Sequence, residues 1–412
     1  MPEMTTAQDV LDTPHRRGSV GYRRITLALF AAGLATFVAM YCVQALLPAL
    51  TDAFGVSPAV SALAVSVTTG VLALAIIPAS VLSERYGRTR VMVASALASS
   101  VIGLLLPLSP TIEVLLVGRA IQGATLAGIP AVAMAYLAEE VHGNDLGAAM
   151  GRYVAGTTIG GLLGRVVPSG VLDLGSWRWA LESAAAVALV CSIVLMRGLP
   201  RSRFFREQRI DARTVLSNLR GHLADPTLRI LFALGFILMG GFVSVYNFLG
   251  FRLTAAPFGL PQGIVGLIFV MYLAGTWSST AAGRLADRMG RARVLLASVG
   301  ITVAGLALTV PDSLPFVLVG VFLFTAGFFA AHSVASGWVG RVATTHRAEA
   351  SALYLCAYYL GSSIAGALAG VAWGIAEWAG TATFVAGLLV VAILLALRMF
   401  RVNAGSDRKV TA

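Results

Sequence analysis

Two arginines stand inside long apolar runs: Arg119 in VGRAIQG and Arg165 in GGLLGRVVP. At ~1.5 Å of rise per residue, each falls about two helical turns below the end of its run. An arginine at the centre of a bilayer costs about 2.5 kcal/mol or more, so both must face a wet cavity or polar partners. The chemistry open to them is recognition of an anionic group. The alternative is a structural pairing with Asp52, Glu113 or Glu182, which sit near the run ends. His332 lies near the middle of another run and is the titratable group whose charge switches most readily near neutral pH. No Asp or Glu shares that depth; Glu139 and Glu182 come nearest. His332 is therefore the candidate proton carrier. Tyr41, Gln44, Gln122, Tyr246, Asn247, Tyr358 and Tyr359 add polar and aromatic groups at similar depth. Together with Arg119 and Arg165 they form the candidate solute-binding set.

The elements that position these groups follow from composition. Hydrophobic residues make up 58% of the chain and charged residues 12%, with a mean hydropathy of +0.84. That is more apolar surface than a soluble domain of 412 residues can hide. A helix needs roughly 20 apolar residues to cross a bilayer. Twelve runs meet that rule: 25–50, 59–82, 91–108, 112–138, 148–172, 177–196, 229–250, 260–284, 292–310, 314–340, 348–373 and 378–399. They are continuous rather than alternating, which predicts an all-α membrane protein of twelve transmembrane helices and not a barrel.

The net charge of +11 is spread over many short loops on one side, while the other side keeps little beyond Arg178 and Arg252. This is the positive-inside pattern. It places both termini in the cytoplasm and the chain in the plasma membrane as a multi-pass protein, with no nucleic-acid partner. The expected organisation is a cytoplasmic tail over 1–24, a six-helix bundle over 25–197, a basic linker over 198–228, a second bundle over 229–400 and a tail over 401–412. Cys42, Cys191 and Cys356 lack metal or redox spacing. Neither a metal nor a cofactor is expected, and the interior holds no nucleophile or paired carboxylates of the kind an enzyme needs.

The chain also repeats itself. SVLSERYGRTR from Ser80 returns as GRLADRMGRAR from Gly283, placing Glu84 and Asp287 203 residues apart. FGVSP at Phe54 returns as FGLPQ at Phe258, and GTTIGGLLG at Gly156 as GSSIAGALA at Gly361. Three marks in one order indicate two copies of one unit. Each repeated loop carries an acid with arginines one turn away: Glu84 with Arg85 and Arg88, Asp287 with Arg288 and Arg291. Such clusters can latch a gate. Gly87 and Gly290 suit the tight turn, and Gly283 a close helix approach. Gly156, Gly160 and Gly164, with Gly161 beside them, and Gly366 with Gly370 recur at the spacing that lets helices pack closely.

GRLADRMGR and SERYGR resemble the loop signature of the major facilitator superfamily, and the likeness extends over the whole chain. YCVQALLP, GTTIGGLLGR, AAHSVASGWVG and AYYLGSS further resemble its bacterial sugar and drug efflux branch. The resemblance implies two pseudo-symmetric six-helix bundles that open a central site alternately to either side. It implies export of a small molecule, by proton antiport or, alternatively, facilitated or proton-symport movement of a sugar or organic anion. The expected partners are that solute, protons and lipid, and the expected state is a monomer. By the same analogy Glu84 would reach the start of span eleven near Thr344 and Thr345 when the inner gate is shut. Asp287 would then reach the start of span five, with Asn144 as its N-cap.

Overall fold

The computed structural model describes residues 14–205, 207 and 212–410, and of 212 and 402–410 only the backbone. The first part of the expected amino-terminal tail, residues 206 and 208–211 of the linker, and residues 411–412 lie outside the described residues. The rest is almost wholly helical, with helices α1 (Val20–Tyr41), α2 (Leu47–Phe54), α3 (Pro58–Tyr86), α4 (Arg88–Leu105), α5 (Ile112–Leu126), α6 (Ala133–Glu140), α7 (Gly143–Leu172), α8 (Trp177–Gly198), α9 (Ala212–Ala224), α10 (Pro226–Thr254), α11 (Gln262–Leu267), α12 (Tyr272–Met289), α13 (Arg291–Leu308), α14 (Leu314–Val342) and α15 (Arg347–Val410). Among the described residues, nine helical stretches are long and apolar enough to cross a membrane. Large apolar side chains such as Leu74, Val117, Trp277 and Ile375 lie exposed on the outside, where lipid covers them.

Local chemistry explains the boundaries. Ser57 and Asp225 cap α3 and α10 by accepting backbone N–H bonds, and each is followed by proline at the first helical position. Pro48 follows the break after α1, and Pro130 sits in the irregular turn between α5 and α6. α15 is 64 residues long, about three bilayer thicknesses if straight. Its backbone leaves helical geometry at Ala376 and Glu377, and a Cβ at Gly380 would strike the carbonyl of Ala372, so the chain folds back there.

The helices form two bundles. In the first, α1 packs against α7 and α8, and α3 against α5. In the second, α10 packs against α15, and α14 against α12 and α13. Gly156, Gly160 and Gly164 bring α7 onto α1 so closely that a Cβ would meet the backbone of Phe30, Leu34 or Val38. Gly361 does the same for α15 against Phe236, which repeats the contact in the second bundle. Gly366 and Gly370 face the opposite bundle, at Ser66 and Ala59 of α3.

The bundles meet at the end remote from the repeated loops. Gly263 N–H donates to Asp173 at 3.0 Å, Gln262 Nε2 to the Ala45 carbonyl at 2.5 Å, and Gln44 Nε2 to Asn247 Oδ1 at 2.6 Å.

Candidate solute-binding site

Arg165 is buried at the junction of the two bundles. Its Nε donates to Gln44 Oε1 at 2.6 Å and its Nη1 to the Gly161 carbonyl at 2.5 Å. Three rings surround the guanidinium: Tyr41 at 4.2 Å and, from the second bundle, Tyr272 at 4.6 Å and Phe269 at 5.2 Å. A guanidinium has five N–H donors, so among the described residues both on Nη2 and one on Nη1 meet no acceptor. No carboxylate lies within ion-pair distance among the described residues. The arrangement is a desolvated cation with a vacant donor edge and an aromatic collar, which suits a small anion with an apolar body.

Arg119 has a different fate. Its Nε donates to the Ala64 carbonyl at 3.1 Å, Nη1 to the Ala39 carbonyl at 2.7 Å and to Gln122 Oε1, and Nη2 to the Met40 carbonyl at 2.6 Å. Ala39 and Met40 lie in the last turn of α1, whose terminal carbonyls have no intrahelical partner. The cation therefore caps that end, where the helix dipole favours positive charge. Asp52, Glu113 and Glu182, weighed as its partners, take no part. Gln122 turns its amide to Arg119 and to the Ser99 carbonyl. Both residues are packed inside the first bundle, apart from the Arg165 group.

The remaining aromatic candidates cluster in the second bundle. Tyr246 Oη meets Thr325 Oγ1 at 2.7 Å and its ring stacks on Phe269. His332 is half-buried, with Nδ1 2.9 Å from Tyr354 Oη and its ring 4.7 Å from that of Tyr358. Tyr358 packs edge-on against buried Tyr359. Phe269 and Tyr272 were missed in the sequence, although two rings in span eight at the depth of Arg165 are the signal that would have found them. Asp173 and Gln262 were missed because polar residues at helix ends carry no mark of their own.

Each repeated loop closes on its own arginines. Glu84 pairs with Arg88 at 2.5 Å, and Arg88 reaches Glu139 at 2.9 Å. Asp287 pairs with Arg341 at 3.2 Å and Arg291 at 3.5 Å. Both clusters close within their own bundle, and among the described residues neither acid bonds to the opposite one. Arg85 stacks over Tyr86. Gly87 and Gly290 take φ of 93° and 89°, a conformation that favours glycine. Gly283 faces open space and mediates no close approach. His142, not Asn144, caps α7, accepting the Asn144 N–H on Nδ1 at 3.3 Å. Nearby, the linker folds onto buried Glu140, which accepts the Phe204 N–H at 3.1 Å.

Two helical bundles of duplicated topology, joined around a cationic interior site and clothed in apolar side chains, define a polytopic membrane carrier. The Major Facilitator Superfamily profile matches residues 29–278 and 253–412, and the chain belongs to that family. It is 42% identical over 403 residues to the inner membrane transport protein YnfM of Escherichia coli, covering 97% of each chain. It is 40% identical over 380 residues to the uncharacterized MFS-type transporter YybF of Bacillus subtilis, covering 92% of this chain and 94% of that one. Its fold matches the nucleoside transporter NupG with a TM-score of 0.74 at 16% identity, covering 91% of this chain and 99% of that one. It also matches a bacterial Spinster homologue, in an inward-facing unoccupied conformation, with a TM-score of 0.72 at 14% identity, covering 92% and 96%. The chain is a transport protein of this superfamily, not an enzyme.

Proposed function

We propose that this protein carries a small organic anion across the plasma membrane by alternating access, as a facilitator or proton symporter. The observation behind this reading is Arg165, a buried cation between the bundles with three N–H groups that meet no acceptor, and no neighbouring carboxylate, among the described residues. Tyr41, Gln44, Tyr246, Asn247, Tyr358 and Tyr359 line the path with it. The twelve spans are the nine apolar stretches with α15 counted as two, α5 and α6 as one, and α7. Both termini and the repeated loops lie in the cytoplasm, the carrier works as a monomer, and the bundles are joined at the outer end in an inward-open state.

Reconstituted protein should take up benzenesulfonate, lactate or glycerol 3-phosphate and leave glucose behind, and Arg165→Ala should lower that uptake about 10- to 100-fold. Equal uptake of glucose and the anions, unaffected by Arg165→Ala, would refute the reading. His332 supports a second reading, proton-driven export, because it is the titratable group packed among the aromatic candidates. A proton flux that survives His332→Ala intact removes it as the carrier.

A further inference from the structure

We propose that Arg165 is the lock of the closed end as well as the solute anchor, so that the empty carrier reorients slowly and the protein works chiefly as an exchanger of organic anions. This rests on the anion-carrier reading above.

With no carboxylate partner among the described residues, the guanidinium is held by the amide, the carbonyl and the rings around it. One ring, Tyr41, belongs to its own bundle, whereas Tyr272 and Phe269 belong to the other. Separating the bundles at this end strips both of those rings from the cation. The second tie runs through Gln44. Its oxygen takes the Arg165 Nε–H and its nitrogen donates to Asn247 across the junction. Gln44 and Asn247 are 203 residues apart in the chain, one in each bundle. Their hydrogen bond joins the halves, and the arginine sets the orientation of the amide that makes it.

An anion seated on the open Nη edge changes the balance. Attraction between cation and ring is electrostatic, so neutralising the guanidinium weakens its grip on Tyr272 and Phe269 and makes separation less costly. Each ring contact of this kind corresponds to roughly 3- to 30-fold in an equilibrium. The loaded carrier opens outward readily and the empty one does not. Position 370, which is equivalent to 165 by the 205-residue offset of the Gly156 and Gly361 repeats, holds glycine against Ala59 of α3. The lock is thus built on one side of the pseudo-symmetric junction.

The test compares vesicles preloaded with unlabelled benzenesulfonate, lactate or glycerol 3-phosphate with empty ones, following uptake of the same labelled anion. Preloading should accelerate uptake about tenfold or more. In Phe269→Leu and Tyr272→Leu, uptake into empty vesicles should rise towards the exchange rate, shrinking the ratio at least about threefold. Equal wild-type rates, or variants in which both rates fall with an unchanged ratio, overturn the lock while leaving the carrier reading intact. Absence of flux for all three anions overturns the carrier reading itself.

A solute-free measurement stands beside it. Spin labels at Leu174 and Ile264, both exposed, with Cys42, Cys191 and Cys356 replaced by alanine, report separation across the closed end. Tyr272→Leu should add a longer-distance population without any anion. A distribution identical to that of the unsubstituted protein overturns the lock.

Discussion

Arg119 and Arg165 have the same residue type, a similar depth and apolar neighbours in sequence, yet their donors are matched in opposite ways. Arg119 spends its donors on three backbone carbonyls and Gln122, all within the first bundle. Arg165 spends two, one on a side chain and one on its own helix, and leaves the others facing the bundle junction. The lesson is one of accounting. A buried cation whose N–H groups are matched by protein acceptors is part of the scaffold, while one left short of acceptors has capacity for a ligand.

The comparison breaks most visibly at Arg119. Arg119→Ala should orphan the carbonyls at the end of α1 and destabilise the protein by on the order of 3 kcal/mol, read as a large fall in the melting midpoint in detergent. A variant as stable as the parent would mean that the capping role is wrong. Next in size is Arg165→Ala, which should lower anion uptake about 10- to 100-fold with little change in melting. If the two variants exchange these phenotypes, the assignment of scaffold and site is inverted.

Gln122→Leu sharpens the point at smaller scale. It removes one acceptor from Arg119 and should cost about 1 kcal/mol without altering solute preference, which competition between benzenesulfonate and lactate would check. The smallest effects belong to the repeated loops. Glu139→Gln, in the cluster built on nearly buried Arg88, should cost about 1 kcal/mol. Arg341→Gln, in the exposed Asp287 cluster, should stay within about 0.5 kcal/mol. Equal melting shifts would show that burial does not separate the two copies.

Much of the scaffold was legible because its signals are local. An apolar run long enough for a bilayer, a proline after a capping residue, and a glycine where the chain turns between α3 and α4 each announce themselves within a few positions. The duplication was equally plain, since GRLADRMGR keeps the spacing of SERYGR. Legibility ended where partners are distant in the chain. Glu84 with Arg88 and Asp287 with Arg291 were legible as pairs one turn apart, but the loops carry no sign that Glu139 and Arg341 complete the clusters. His142 displaced Asn144 as the cap by the same logic, because the competition between neighbours is settled by backbone geometry. Phe269 and Tyr272 could be read as lipid-facing or packed rings until α12 was laid beside α7.

The amino-acid sequence alone therefore determined the solvent this protein lives in, its helical character, its internal repeat and the two buried cations. Hydropathy, charge and spacing are additive properties of a string, and they survive without any knowledge of contacts. Which arginine is saturated, which rings collar the other, and that Gln44 meets Asn247 across the junction were settled by three-dimensional packing. Those outcomes depend on which donors and acceptors, separated by up to two hundred residues, arrive within 3 Å of one another.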